Sequence, residues 1–493
     1  MFSDLVARRI LTKRRVYHEI HCPNKRKRTE NIIQEFIEDI NGGEIDVFDF
    51  IGIQISKQIA TKIVEIAEEH SQIKSLCGIQ ENDELHDFRD LSLRVPDMIL
   101  LAFDLRRNTS LKSLNLYNNV IHPEGAKYIA DALKINNTLL SIDLANTSIF
   151  EEGIQTICNG LKENTGLIAI DLSSNYGGLA CTEAIADLLE TNKTLKHISF
   201  APCNNFNLTE MKVLTDSLKR NTNIETLDIS CYGLTNGFWD EEESEENDDD
   251  DDDDSEEEKD PNEQDLDNIK VITDILETNK TINTITLLGT EMDDKIAQYF
   301  FKYMQNNDKI KELYLGENNF RNMKTCKMIR KFLAMNTTIE VIDLENVYGL
   351  FANGGMKYIA DGVKNNKSLK KLNIQGCFGD GLDEIIHLSH ALKTNTTLEE
   401  IYIGNLPLNI PLLRGSSEKI DLSENMITDP GAVIIAEFMS TNKITTTLDL
   451  SYNHITEEGI KYISKALQSN STLKHLNLSN NHCSHNSYNL HVN

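Results

Sequence analysis

The sequence predicts an α/β solenoid, a row of parallel strands backed by a row of helices, and three observations predict it. A short segment with alternating apolar residues recurs at a spacing of mostly 28 to 30 residues: "LKSLNLYNN" begins at Leu111, "LLSIDLANT" at Leu139, "LIAIDLSSN" at Leu167 and "LKHISFAPC" at Leu195. Between copies run patterns such as "PEGAKYIADALKINNT", with apolar residues at i, i+3, i+4 and i+7, as an amphipathic helix requires. One strand and one helix cannot bury their apolar faces alone, so the copies must stack side by side.

Taken in chain order, residues 1–45 fit no repeat and are expected to be partly disordered or helical. They carry "KRR" at Lys13–Arg15 and "KRKR" at Lys25–Arg28, which read either as an import signal or as a basic strip facing acidic residues. A single solenoid of about 13 to 14 repeats is expected over residues 46–485, with 486–493 as a tail. "IGIQISKQIATKIVEIAEEH" predicts a helix that covers the end of the sheet, and "IKSLCGI" at Ile73 reads as a degenerate first copy. The 38 residues from Ile73 to Leu111 are about ten too many for one repeat and predict an irregular connection.

Two further breaks interrupt the period. From Ile224 to Ile282 is 58 residues, with one helical pattern and no second strand motif in the gap. The gap holds "DEEESEENDDDDDDDSEEEKD", Asp240–Asp260, with 17 acidic residues and one Lys. Residues 238–266 are therefore expected to be a disordered acidic loop inserted within one repeat, and Ser255, before three Glu, is a candidate phosphorylation site for an acid-directed kinase. From Leu398 to Ser417 is only 19 residues, with Pro407 and Pro411 where a helix belongs, so 404–417 is expected to be a short repeat without a helix.

The motif L-x-x-L-x-L-x-x-N/C is matched at Leu111, Leu114, Leu116 and Asn119, and again at Leu473, Leu476, Leu478 and Asn481. On these residues the chain resembles the leucine-rich repeat family, in its long ribonuclease-inhibitor-like subtype, over about residues 50 to 485. The resemblance implies a horseshoe with the parallel sheet on the concave face and helices on the convex one. It also implies a ladder of side chains satisfying backbone groups at the strand exits. Asn119, Asn175, Asn318, Asn425, Asn453 and Asn481 stand at its positions, with Cys203 and Cys377 in the same place; Thr147, Tyr232, Thr290, Val347 and Leu406 depart from it. Asn-x-Ser/Thr triplets recur where helices end, at Asn108, Asn136, Asn192, Asn279, Asn336, Asn395 and Asn470. They read as left-handed helix terminators rather than glycosylation sites.

Composition narrows the partners. The net charge is −29, and −13 remains without the acidic segment, so the chain repels nucleic acid backbones and anionic membranes and favours a basic protein. Nine cysteines with no C-x-x-C pair read as reduced thiols of an intracellular protein, cytoplasmic or nuclear. No apolar run approaches the ~20 residues needed to span a bilayer. No phosphate-binding, nucleophile-elbow or zinc-helix motif occurs; the tail residues His482, Cys483, His485 and His491 match no standard metal spacing, and no cofactor or metal is expected.

Side chains between the apolar strand positions face the open side of the sheet. There stand Asp143, Asp171, Asp228, Glu312, Tyr314, Asp343, Glu345, Glu400, Tyr402, Asp421 and Asp449, opposed by Lys371 and Lys419. These residues point to a non-enzymatic scaffold that holds a basic protein in an acidic groove, assisted by the acidic loop. A second reading comes from resemblance. Ran GTPase-activating proteins are similar in repeat subtype and in having a long acidic run, although theirs follows the repeats. That resemblance implies activation of a Ran-type small GTPase through the repeat rim, without an arginine finger, and no segment here matches that family's functional loops.

Overall fold

The computed structural model describes residues 32–43, 45–200, 208–230, 266–320, 322–347, 354–377, 382–404 and 407–482. The basic clusters at 13–15 and 25–28, Cys203, Tyr232, residues 238–265 with Ser255, Leu406 and everything after residue 482 lie outside them. The chain divides into two compact units, residues 1–228 and 229–493.

In the first unit the elements run α1 (Ile32–Gly42), α2 (Lys57–Glu69), β1 (Leu85–Asp87), α3 (Val95–Arg107), β2 (Ser113–Asn115), α4 (His122–Leu133), β3 (Ser141–Asp143), α5 (Phe150–Leu161), β4 (Ala169–Asp171), α6 (Leu179–Thr191), β5 (His197–Ser199), α7 (Leu208–Arg220) and β6 (Thr226–Asp228). Strands β1 to β6 pair in sequence order, all parallel, with equivalent residues in register, so that Leu114 lies beside Ile142 and Ile142 beside Ile170. In the second unit come α8 (Asp267–Thr278), β7 (Thr284–Thr286), α9 (Asp294–Met304), β8 (Glu312–Tyr314), α10 (Met323–Met335), β9 (Val341–Asp343), α11 (Met356–Asn365), β10 (Lys371–Asn373), α12 (Asp383–Thr394) and β11 (Glu400–Tyr402). They are followed by β12 (Pro407–Asn409), β13 (Lys419–Asp421), α13 (Asp429–Thr441), β14 (Thr447–Asp449), α14 (Glu457–Leu467) and β15 (His475–Asn477). Strands β7 to β11 are parallel neighbours, and β13 to β15 form a second parallel row.

From β2 onward the middle residue of each repeat strand is apolar and the flanking ones are mostly polar, which decides what faces the helices. Leu114, Ile142, Ile170, Leu313, Ile342 and Leu372 are all buried. Each helix offers its own stripe to the same core; Ala126, Ile129, Ala130 and Leu133 of α4 are all buried. Each Leu or Ile so buried contributes about 1.5 to 3 kcal/mol. Phe300, Phe301, Phe320 and Phe332 give the second unit an aromatic cluster in its core, with contacting ring centroids 5.5 to 6.1 Å apart.

The structure corrects the reading of residues 73–111. These are not an irregular connection. Residues 85–87 form β1 in register with β2, 28 residues earlier, and α3 is the helix of that repeat. The strand escaped notice because His86 and Phe88 stand where later copies carry Leu. The segment at Ile73 instead bridges to Val47 and Asp49. Two buried acids of α3 fasten this end: Asp104 accepts from the Leu76 and Cys77 N–H groups at 2.7 and 3.1 Å and from the Ser75 hydroxyl, and Asp97 accepts from the Gly52 N–H at 2.9 Å. Burial lifts the Asp104 carboxyl to about 7.

Residues 407–416 make no ordinary repeat helix. Strand β12 runs antiparallel to β11, and one wide helical turn over Leu412–Ser416 follows, with Gly415 at φ 97°. Pro407 opens the edge strand and Pro411 precedes the turn, both places where a missing N–H is tolerated.

Backbone groups at the strand exits are satisfied by side-chain amides. The Asn175 Nδ2 donates to the carbonyls of Leu144 and Leu172 at 2.8 and 3.1 Å, and its Oδ1 accepts from the N–H groups of Thr147 and Ile149 at 3.1 and 3.2 Å. Asn119, Asn318, Asn453 and Asn481 make the same span to the preceding repeat. The thiol of Cys377 donates to the Leu344 carbonyl in that place, and Asn425, which follows the β12 interruption, donates to Ser423 of its own loop. The residue before each ladder position is left-handed: Asn118, Asn146, Asn346 and Asn480 lie at φ 53 to 56°, Gly376 at 73°.

The Asn-x-Ser/Thr triplets are a second such column, and here the structure overturns the left-handed reading. Asn108, Asn192, Asn279, Asn336 and Asn395 have φ between −67 and −73° with extended ψ. Their role is hydrogen bonding: Asn336 donates to the carbonyls of Met304 and Asn307 at 2.9 and 2.8 Å and accepts from the N–H groups of Thr338 and Ile339.

Replacing Asn175 with Ala strands three buried backbone groups, the Leu144 carbonyl keeping its bond from the Thr147 hydroxyl, and should lower stability by about 2 to 4 kcal/mol. The exposed Asn365→Ala change should cost less than about 0.5 kcal/mol. Urea unfolding of the two variants measures the contrast.

Candidate functional site

The face of the strands opposite the helices is built from the first and third residue of each strand. In the first unit Asp143, Asp171 and Asp228 are the third residues of β3, β4 and β6, all half-buried. In the second unit Glu312 and Tyr314 flank β8, Asp343 ends β9 with Glu345 two residues on, Glu400 and Tyr402 flank β11, and Asp421 and Asp449 end β13 and β14. Asp421 is exposed and the others half-buried. The structure thus brings three of these residues together in one unit and eight in the other.

The third strand position turns out to hold the exit turn. The Oδ1 of Asp143 accepts from the Ala145 N–H at 3.0 Å, that of Asp171 from the Ser173 N–H at 2.9 Å, that of Asp343 from the Glu345 N–H at 2.8 Å, and those of Asp421 and Asp449 from Ser423 and Ser451. Asn115, Asn373 and Asn477 make the same bond with an amide oxygen. An Asp or Asn side chain capping the N–H two residues on is a local turn device, which explains why this column is so often Asp. Only the second carboxylate oxygen is left to face outward, and some of those are also engaged: Asn373 donates to Asp343 at 2.8 Å and to Glu345 at 3.1 Å, and Asn477 to Asp449 at 3.0 Å.

Crowding raises the cost of charge along this face. Burial pushes the Asp171 carboxyl up to about 7, and the carboxylates of Asp143 and Asp228 add to it. Burial also raises Asp143, with Asp87 adding, and raises Asp343, with Glu345 adding. At Asp449 burial is outweighed by the bonds from Ser451 and Asn477, which hold the carboxyl below its usual value. The cations are already engaged or at the edge: Lys371 pairs with Glu400 at 2.8 Å, and Lys419 is exposed. The tyrosines lean on their own strands' acids, Tyr314 OH donating to Glu312 at 3.2 Å and Tyr402 OH to Glu400 at 3.4 Å.

At the strand entrances of the second unit an open depression of about 490 Å³ lies around Glu340, on which Lys311 and Lys370 converge at 3.5 and 2.5 Å. Its three lysines, Lys311, Lys367 and Lys370, outnumber Glu340 and Glu399 by one, and Lys370 with Lys311 holds Glu340 below its usual value.

Reactive chemistry finds little support. Cys77, Cys158, Cys181, Cys326 and Cys377 are buried free thiols; burial pushes the last four up to about 12, far from a nucleophilic thiolate. Among the described residues no group of three or more His, Cys, Asp or Glu is arranged to hold a metal. No described helix is long and apolar enough to cross a membrane. Sequence reading missed one surface, a row of exposed rings at the strand exits of the first unit, His122, Phe150 and Tyr176. Reading down the column at the start of successive repeat helices finds His122 and Phe150, while Tyr176 stands two residues before that column's Gly178.

The repeat geometry is matched by a family model. The leucine-rich repeat model aligns with residues 107–130 and 446–464, the β2–α4 and β14–α14 repeats. The chain carries leucine-rich repeats. Over 139 residues the chain is 27% identical to a Caenorhabditis briggsae protein named protein phosphatase 1 regulatory subunit 37 homolog, a match that takes in 26% of this chain and 14% of that protein's length. Among solved structures, leiomodin-1 actin-binding site 2 is 20% identical, with 41% of this chain and 91% of that one covered and a TM-score of 0.24. An internalin (inlF) from Listeria monocytogenes str. 4b F2365 is 13% identical, with 86% and 89% covered and a TM-score of 0.28.

The raised Asp171 carboxyl gives a test of the exit-turn role. A carboxyl with a higher pKa folded than unfolded favours the fold below the unfolded value, and that contribution is lost as pH rises through about 7. Asp171→Asn keeps the turn bond and removes the ionisation. It should stabilise the protein by about 1 to 3 kcal/mol at pH 8 and by much less near pH 4, read from urea unfolding at both pH values.

Proposed function

We propose that this protein is a non-enzymatic protein–protein interaction scaffold of the ribonuclease-inhibitor-like subtype, working in the cytoplasm or nucleus, whose open strand face receives a basic protein partner. The observation that carries the reading is the mutual crowding of carboxylates along that face. Each turn-capping Asp turns one oxygen outward, and neighbours such as Asp143 and Asp228 make it harder for Asp171 to ionise. A cationic side chain arriving there relieves that cost, whereas an anionic partner meets repulsion on a chain of net charge −29. The acidic segment at 240–260 supplies a longer-range field that speeds association with the same partner. The curated relative is named as a regulatory subunit of another protein, which supports the same broad class.

Partner-contacting roles are assigned to Asp143, Asp171 and Asp228 in the first unit. In the second unit they fall to Asp343, Glu345, Asp421 and Asp449, with Tyr314 and Tyr402 as amphipathic anchors beside Glu312 and Glu400. GTPase activation has no observation of its own here, and single-turnover GTP hydrolysis by a Ran-type GTPase should be unchanged by added protein.

Affinity capture with the full chain and with a chain lacking 240–260, each at low and high salt, tests the electrostatic role. Loss of the segment should weaken capture of basic proteins at low salt and leave little difference at high salt. An identical partner set under all four conditions contradicts that role. Binding of a basic partner should also draw a proton from Asp171, so affinity should rise between pH 6 and pH 8 with proton release visible by calorimetry in buffers of different ionisation enthalpy.

A further inference from the structure

We propose that the strand-exit edge of the first unit carries an aromatic docking ridge, His122–Phe150–Tyr176, that takes an arginine side chain of the partner over its ring faces. The inference rests on the basic-partner reading above and assigns it a surface separate from the acidic strand face.

Three successive repeats supply the ridge. The rings of His122 and Phe150 are 6.4 Å apart at 12°, and those of Phe150 and Tyr176 are 5.9 Å apart at 21°. Phe150 is 40% and Tyr176 56% exposed, so the described residues leave them largely uncovered. Tyr117 and Val120, in the loop between β2 and α4, are 41% and 43% exposed, and Leu179 at the start of α6 is 42% exposed. The patch is apolar, and it is spread over the same set of loops.

The backbone shows that stability does not account for these rings. His122 and Phe150 sit at φ 60° and 53°, in the left-handed region that bulky residues avoid. Pro123 disfavours the right-handed region for His122, which gives that residue a local reason. Phe150 is followed by Glu151 and has none. Asn or Gly would make the same loop with less strain, so a half-exposed Phe there is retained against both backbone preference and solvation. The rings stack on one another and stay half-exposed, and strain held at an exposed ring is a pattern of recognition residues.

Charge selects the occupant. Glu124 opens α4, and Glu151 and Glu152 open α5, offsetting the positive end of each helix. Glu124 and Glu152 are paired with Lys57 and Lys127, whereas Glu151, next to Phe150 in the chain, accepts from the Gly178 N–H at 3.2 Å and has no ion pair among the described residues. A planar guanidinium stacks flat on such a ring while its edge donates to a bordering carboxylate, a fit that a compact ammonium makes with less contact and an aliphatic group cannot make.

The probe is a fluorescently labelled synthetic peptide of alternating arginine and leucine, with a counterpart in which citrulline replaces arginine, titrated against the full chain at low salt. Phe150→Asn combined with Tyr176→Ser should weaken the arginine peptide about tenfold. Met335→Ser, a change at an exposed apolar residue of the second unit, should leave it unchanged. Phe150→Asn alone should hold or raise the melting temperature while weakening binding, which excludes unfolding as the cause. Arginine-peptide binding by the double variant equal to that of wild type overturns the ridge and leaves the basic-partner reading standing. An equal loss for the citrulline peptide overturns the arginine assignment in favour of an apolar side chain. No binding of the arginine peptide by wild type overturns both the ridge and the basic-partner reading.

Discussion

The structure depends on how each chain segment leaving a strand finds partners for its backbone. A strand of three residues followed by a tight turn leaves N–H and C=O groups pointing into the body of the protein, where unpaired groups cost about 1 to 3 kcal/mol each. Side-chain amides one repeat later fill that need. Asn119 bonds the Leu93 N–H and the Phe88 carbonyl, Asn318 bonds the Met292 N–H and the Leu287 carbonyl, and Asn453 bonds the Ile427 N–H and the Leu422 carbonyl. A second column, from Asn136 to Asn470, does the same at the strand entrances. Each repeat therefore completes the one before it. The bond that fixes the turn also fixes the repeat length, because the amide must arrive 26 to 31 residues after its partners.

That constraint shapes the functional surfaces. The turn after each strand needs a cap at its third residue, and Asp or Asn supplies it; the acidic face follows from a structural requirement met with a charged residue. Asn115, Asn373 and Asn477 show that a neutral cap suffices, so the charge at Asp143, Asp171 and Asp343 is an additional choice, held in spite of carboxyls raised by burial. The exit loops then present whatever side chains their left-handed positions carry. Most are Asn, Gly, Ser or Glu; at Phe150 the loop carries an aromatic ring instead.

Much of the fold was legible because its period is set by burial. Leu and Ile at alternate positions, followed by a helical stripe, mark each repeat directly. Where those positions are filled otherwise the pattern fails: β1 was hidden by His86 and Phe88, though register with β2 reveals it. The Asn of the Asn-x-Ser/Thr triplets was visible but its conformation was not, since the same residue serves both left-handed caps and extended turns, and only the geometry shows Asn336 bonding two carbonyls of the preceding loop. The acidic column was legible as residues and not as turn caps, because one oxygen of Asp171 works inward on Ser173 while the other faces out. Exposure and φ, which Phe150 shares with Met426 and Tyr452, and the ring stacking that sets Phe150 apart from them have no signature in a single sequence.

Amide hydrogen exchange tests the central claim directly. The N–H groups of Leu93, Thr147, Ile149, Met292, Ile427 and Ile455 lie in loops but donate to ladder amides. They should exchange as slowly as the strand amides of their own unit, opening only with it. Exchange of these loop amides at the rate of exposed turns, with the strands still protected, would show that the repeats hold together without the amide columns.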